Sequence, residues 1–316
     1  MFKLRLWMFI ILAISCGKKS SKIDPDNNVP GDNRYYENRI VTFLENGFVV
    51  SKGKNGELHD QGDSLLFTGL LLGALPCEQI QTILDAFERM QDHFNGFLVR
   101  IDPLPDEYLR DENFISRDGA SGALYGLIRA SKRCPESSSR ISLILSKWED
   151  AVGDSLLLHP KSKAIITPSF KVFWRLAHGK GINTLEYELY MASTLITAKL
   201  IEDNKSACYP IHLETIQNLV FEIKGRPILR VDKDKWCAIT KDMGLMLTDW
   251  YCDRHTDQLK LWMKNPEISP NVYMHQRCTW ESPDGVDILS PRVDYLLLYR
   301  HILEGSDPWL LELIKH

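Results

Sequence analysis

Beyond residue 33, apolar side chains recur every three to four positions, and sustained two-residue alternation is scarce. The spacing of Tyr36, Ile40, Val41 and Leu44 predicts a helical face over residues 35–44, followed by a small hairpin over Phe48–Leu58 turning at Asn55-Gly56. Helices are then predicted at Asp63–Ala74, Glu78–Asp92, Arg117–Arg133, Ser137–Val152 and Ser169–Gly179. Further helices are predicted at Thr184–Asp203, Ile211–Lys224, Lys235–Tyr251, Thr256–Lys264 and Pro291–Glu304, with Gly, Pro and Asn between the runs.

These helices alternate in character. Asp63–Ala74 is apolar nearly all round and Glu78–Asp92 has one polar face; Arg117–Ala130 and Ser137–Val152 repeat that contrast. A helix apolar on every side belongs inside, and an amphipathic one covers it. The expected fold is therefore all-α, a helical-hairpin (α/α) toroid over residues 34–316, with a small β-hairpin near its start. An α-solenoid would carry a fixed-length sequence repeat, which is lacking here. A nucleotide-binding sheet would need a Gly-rich loop after a strand, and there is none.

The first residues follow another pattern. Lys3 and Arg5 precede an apolar stretch from Leu6 to Ile14, which as a helix covers only ~14 Å, about half a bilayer core. That fits a secretory leader over residues 1–15. Ala13-Ile14-Ser15-Cys16 resembles the lipobox of bacterial lipoproteins. The resemblance implies acylation of Cys16, attachment to the membrane through that lipid, and, since Gly17 is not aspartate, residence in the outer membrane. Residues 16–33 are rich in Ser, Asn, Pro, Gly and charge, and read as a flexible tether.

Composition narrows the field. The 38 basic and 42 acidic residues give a charge of -4, and loss of the leader with Lys3 and Arg5 takes it to -6. No basic field for nucleic acid exists. Beyond Cys16 six cysteines remain, and in an exported protein an even number favours disulfides. Cys77 and Cys134 each follow an apolar helix beside a proline, so they are the first-choice pair. Cys252-Asp-Arg-His255 and His275-Gln-Arg-Cys278 sketch a zinc site, but the spacing matches no common finger, and neither metal nor cofactor is expected.

Gly62-Asp63-Ser64-Leu65 recurs as Gly153-Asp154-Ser155-Leu156 and resembles the nucleophile string of GDSL-type esterases. Their later Asp-x-x-His is missing, so helix capping is the preferred reading. Gly62–Gly69 and Ile115–Gly122 resemble inner-helix starts of six-hairpin α/α-toroid proteins, a mostly sugar-active superfamily with acidic residues at such positions. That resemblance implies Asp63 and Asp118 as an acid–base pair, with Arg117 binding an acidic sugar and Trp280 stacking on a ring. Capping alone explains the two aspartates and is the preferred reading. Gly119, Gly122 and Gly126 form a bare stripe that calls for close helix packing. Two functions follow: an envelope carbohydrate-active enzyme of the glycoside hydrolase kind, or a non-catalytic envelope lipoprotein binding a glycan or protein partner.

Overall fold

The computed structural model describes residues 44–50, 52–53, 58, 61–155, 157–190, 192, 208–224, 234, 237–238, 252 and 288–289. The fold over these residues is mainly helical, with two small antiparallel pairings. Strand β1 (Leu44–Glu45) turns through Asn46 and Gly47 into β2 (Phe48–Val49), with Leu44 facing Val49 and Glu45 facing Phe48. Both turn residues have positive φ, 52° and 85°, the requirement of a tight hairpin turn that Asn-Gly meets cheaply. The expected turn dipeptide, Asn55-Gly56, lies outside the described residues. A single bridge between Lys52 and Leu58 flanks that dipeptide, and Leu44 is a strand residue, not a helical one. Strand β3 (Lys52–Gly53) pairs with distant β4 (Ile288–Leu289), Lys52 opposite Leu289.

Helix α1 (Ser64–Ala74) has all of its 11 residues buried, as its uniform apolarity demands. It stops where Leu75 is forced to extended backbone by Pro76. Helix α2 (Gln81–His93) turns Ile83, Leu84, Ala86, Phe87 and Met90 inward. The β1–β2 hairpin rests on both helices. The Val49 N–H donates to Thr68 Oγ1 (2.9 Å), Phe48 packs on Phe87, and Arg89 donates to the Asn46 carbonyl (2.6 Å). A short helix α3 (Asp106–Arg110), unforeseen in the sequence, leads to α4 (Arg117–Arg133) and α5 (Ser138–Val152). Helix α6 (Pro168–Ala177) opens with Thr167 accepting from the Phe170 N–H and Pro168 in its first turn. Residues 184–190 are helical (α7), and α8 (Cys208–Ile223) follows.

The two hairpins α1–α2 and α4–α5 lie side by side in parallel, in a register the sequence conceals. Leu65 faces Gly119, Gly69 faces Gly122 and Gly126, and the Gly73 carbonyl accepts from Arg129 Nε (2.9 Å). On the second pair of helices, Gln81 donates to Ser137 (3.0 Å), Glu88 binds Arg140 (2.7 Å) and Gln91 donates to the Ile144 carbonyl (2.8 Å). Each partner lies 52–57 residues further along the chain. The glycine stripe makes this possible: a Cβ on Gly122 would lie 2.8 Å from the Leu66 carbonyl oxygen, and one on Gly126 would intrude on that of Gly69. At the far end Cys77 and Cys134 form the expected disulfide, with Cα atoms 5.5 Å apart. Arg133 also donates to the Gly73 carbonyl there (3.2 Å), a cation at a helix C-terminus. No helix among the described residues is long and apolar enough to cross a membrane.

Candidate functional site

Because α1 and α4 run parallel in that register, their N-termini, and with them Asp63 and Asp118, share one end of the pair. Arg100 ties the two entry loops together. Its guanidinium donates to the Gly62 carbonyl, to the Asn113 carbonyl (2.8 Å) and to Asn113 Oδ1 (2.7 Å), and lies over the Tyr108 ring at 5.3 Å. Its own N–H donates to the Phe114 carbonyl (2.8 Å). One side chain thus fixes the loop before Asp63 against the loop before Asp118.

The aspartates differ in setting. Asp63 occupies the cap position of α1, half-buried, without a side-chain capping bond. Asp118 lies inside the first turn of α4, only 3% exposed, and its Oδ1 accepts the Gly119 N–H (3.0 Å). The cap of α4 is Ser116, whose hydroxyl accepts from the same N–H (3.3 Å). Both carboxylates lie where a helix dipole favours negative charge. Arg117 is half-buried beside them, its carbonyl accepting from Ser121 Oγ (2.8 Å). Cys16 and Trp280 fall outside the described residues.

Ser64 is 3% exposed and donates to Gln61 Oε1 (3.2 Å), while Ser155 accepts from the Leu157 N–H (3.0 Å). Both serines of the repeated Gly-Asp-Ser-Leu string therefore serve local turns. Tyr125 and Trp174 are core residues, 0% and 5% exposed. Cys252 pairs with Cys237, which removes one thiolate from the sketched zinc set; His255, His275 and Cys278 lie outside the described residues.

Three groups escaped the sequence reading. Glu214 of α8 is 8% exposed, and burial pushes its carboxyl up to about 8, so it stays protonated at neutrality. A lone carboxylate among Leu213, Ile216, Leu219, Val220 and Phe221 was its visible signal. His159, 5% exposed, stacks on Phe114 at 4.4 Å and meets the Phe97 edge at 4.7 Å. Its Nδ1 accepts from the Lys161 N–H (3.1 Å), and burial, then the Lys161 charge, pushes it down to about 4. Buried Asp102 holds the exposed His93 through Nδ1 at 3.0 Å, with Arg89 at 3.5 Å.

No protein-family model matches this chain, and no solved structure matches it at a significant level. Over 82 residues, 25% of the chain, it is 33% identical to the highly reducing polyketide synthase calA of Penicillium decumbens. The chain spans 3% of that synthase's length, so the likeness is to a fragment of it.

Proposed function

We propose that this is a lipid-anchored envelope protein whose helical-hairpin body, an α/α toroid, binds a glycan or protein partner without cleaving it. The observation that carries the reading is the α1–α4 contact. Residues 118–130 of α4 and all of α1 are buried, and the two helices touch backbone to backbone through Gly69, Gly122 and Gly126. Asp118 is 3% exposed and its Oδ1 accepts the Gly119 N–H of its own helix, which suits a scaffold better than a group that must meet substrate. Parallel hairpins in a register of about 55 residues support the toroid. The Cys77–Cys134 and Cys237–Cys252 disulfides suit an oxidising compartment, and the Ala13-Ile14-Ser15-Cys16 leader supports outer-membrane anchoring through Cys16. The test incubates purified, lipidated protein with envelope polysaccharides. Retention of a glycan without release of reducing ends is the expected result.

A second reading, glycoside cleavage by Asp63 and Asp118 with Arg117 and Trp280 on the substrate, rests on a different observation. Both carboxylates belong to one end of the helix pair, beside loops that Arg100 fixes. It requires carboxyl groups ~5–5.5 Å apart for retention or ~6.5–9.5 Å for inversion. Release of reducing ends, lost in Asp118→Asn, would establish it and overturn the binding reading.

A further inference from the structure

Where the C-terminal end of α5 meets the flank of α6, a crevice of about 390 Å³ opens. That lies within the range of small-molecule sites, roughly 300–1,000 Å³. Ile166 and Trp174 line it although they are only 6% and 5% exposed, so they form its apolar floor. Its walls balance in charge, with Glu149, Asp150 and Asp154 on the α5 side and Lys171, Arg175 and Lys180 on the α6 side. Lys171, Trp174 and Arg175 follow at i, i+3 and i+4 and so share one face of α6. Neither Asp63 nor Asp118 belongs to this crevice.

Half of these charges are already met. Lys180 pairs with Glu149 at 3.4 Å, Arg175 pairs with Glu186 at 3.5 Å, and Arg175 Nε also donates to the Gly181 carbonyl (2.9 Å). The side chains of Lys171, Asp150 and Asp154 have no ion-pair or hydrogen-bond partner among the described residues. Asp150 belongs to the last turn of α5 and Asp154 follows its end, where the helix dipole disfavours negative charge and favours a cation. The unmet charge is therefore bipolar, carboxylates on the α5 wall and an ammonium on the α6 wall. Helices in contact, as the Trp148–Trp174 ring pair at 4.9 Å shows these to be, lie about 8–10 Å apart axis to axis. A dipeptide extends up to ~7 Å, and a single amino acid about half as far.

We propose that this crevice binds a zwitterionic dipeptide with an apolar side chain, its ammonium at Asp150 and Asp154 and its carboxylate at Lys171. The apolar side chain lies on Trp174 and Ile166. Because the walls balance in charge, a ligand of zero net charge but separated ends is favoured over an anion or a cation. The assignment goes beyond the glycan reading, shares no residue with the Asp63–Asp118 end, and depends on neither.

The test is calorimetric titration of the full-length protein at neutral pH with Ala-Leu, N-acetyl-Ala-Leu and Ala-Leu-amide. Saturable binding of Ala-Leu is expected, and each blocked form, lacking one terminal charge, should bind at least about tenfold more weakly. Lys171→Met should weaken Ala-Leu about tenfold and leave Ala-Leu-amide, which has no carboxylate, unchanged. Asp154→Asn should weaken Ala-Leu and Ala-Leu-amide and leave N-acetyl-Ala-Leu unchanged. Both substitutions replace side chains without partners, so circular dichroism should match that of the parent. No saturable binding of Ala-Leu, equal binding of the blocked peptides, or variants that affect all three peptides alike overturns the proposal.

Discussion

Replacing Gly122 by alanine should destabilise the protein by about 2 kcal/mol, although the same change in an exposed helix would stabilise it by about 1 kcal/mol. The new Cβ would lie 2.7 Å from Leu66 Cδ1, 2.8 Å from the Leu66 carbonyl oxygen and 3.0 Å from its Cα. The Leu66 side chain can swing aside, but the backbone oxygen is 0.6 Å inside the 3.4 Å at which ordinary contact begins. Helix α1 must therefore move, yet the Cys77–Cys134 disulfide holds one end and the Arg100 bond to Gly62 the other. Overpacking of this kind costs ~1–3 kcal/mol, and a gap of ~0.5–1 Å forfeits a quarter to a half of each surrounding dispersion contact. A cost near ~3 kcal/mol against the ~1 kcal/mol helix gain leaves the stated loss. Gly126→Ala, aimed at the Gly69 carbonyl, should cost more, and Gly181→Ala, with nothing within 4 Å, should stay within ~0.5 kcal/mol. Urea unfolding followed by tryptophan fluorescence and circular dichroism measures all three. Equal stability of Gly122→Ala and the parent protein would refute the backbone contact of α1 and α4.

Further predictions concern covalent and ionisable groups. Removing the Cys77–Cys134 bridge by a double serine substitution frees a span of 57 residues and should cost about 4 kcal/mol of unfolding free energy on the loop-entropy estimate, read by urea titration. His159 is held neutral in the fold down to about 4 but protonates near 6.5 once unfolded, so its contribution is lost as pH falls between those values. The loss should reach up to ~3 kcal/mol and be absent in His159→Gln, checked by urea titrations across that window. Glu214 has the opposite sign. Its raised pKa of about 8 means that stability is complete below about 4.5 and declines as pH rises to about 8, a decline that Glu214→Gln should remove in the same assay. Cys16→Ser should release the protein from membrane pellets after fractionation, and membrane retention with unchanged processing would refute lipidation.

Helix positions were legible because burial writes itself into local periodicity. The expected Arg117–Arg133 is the observed α4, and Ser137–Val152 differs from α5 by one residue. Cys77 with Cys134 was readable from two similar helix ends, each beside a proline. A hairpin turn was expected at Asn55-Gly56 and not at Asn46-Gly47 because local turn chemistry is alike at both, as it is at the third Asn-Gly pair, Asn95-Gly96. What distinguishes Asn46-Gly47 is distant: Gly47 sits against Thr82 and Ala86, where a Cβ would lie 2.6 Å from the Thr82 carbonyl oxygen. The register of about 55 residues was invisible for a similar reason, being carried by unlike pairs such as Gly73–Arg129 and Gln91–Ile144. Arg100 bridges backbone carbonyls, which leave no mark on composition. Asp63 and Asp118 were found as helix-start acids, but that Ser116, not Asp118, caps α4 needed the backbone geometry.

The pairing of β3 with β4 sets a schedule for the chain's birth. Lys52 and Leu289 are 237 positions apart, so at synthesis rates of about 5–20 residues per second the first strand waits roughly 12–47 s for its mate. Both α-hairpins can dock during that interval, since each of their contacts spans fewer than 60 residues. The waiting strand is two residues long and carries Lys52, which makes it a poor template for stray pairing. Its late partner therefore acts as a fastener: the two β strands close only after nearly the whole polypeptide exists, and a chain cut short before Ile288 leaves that seam open.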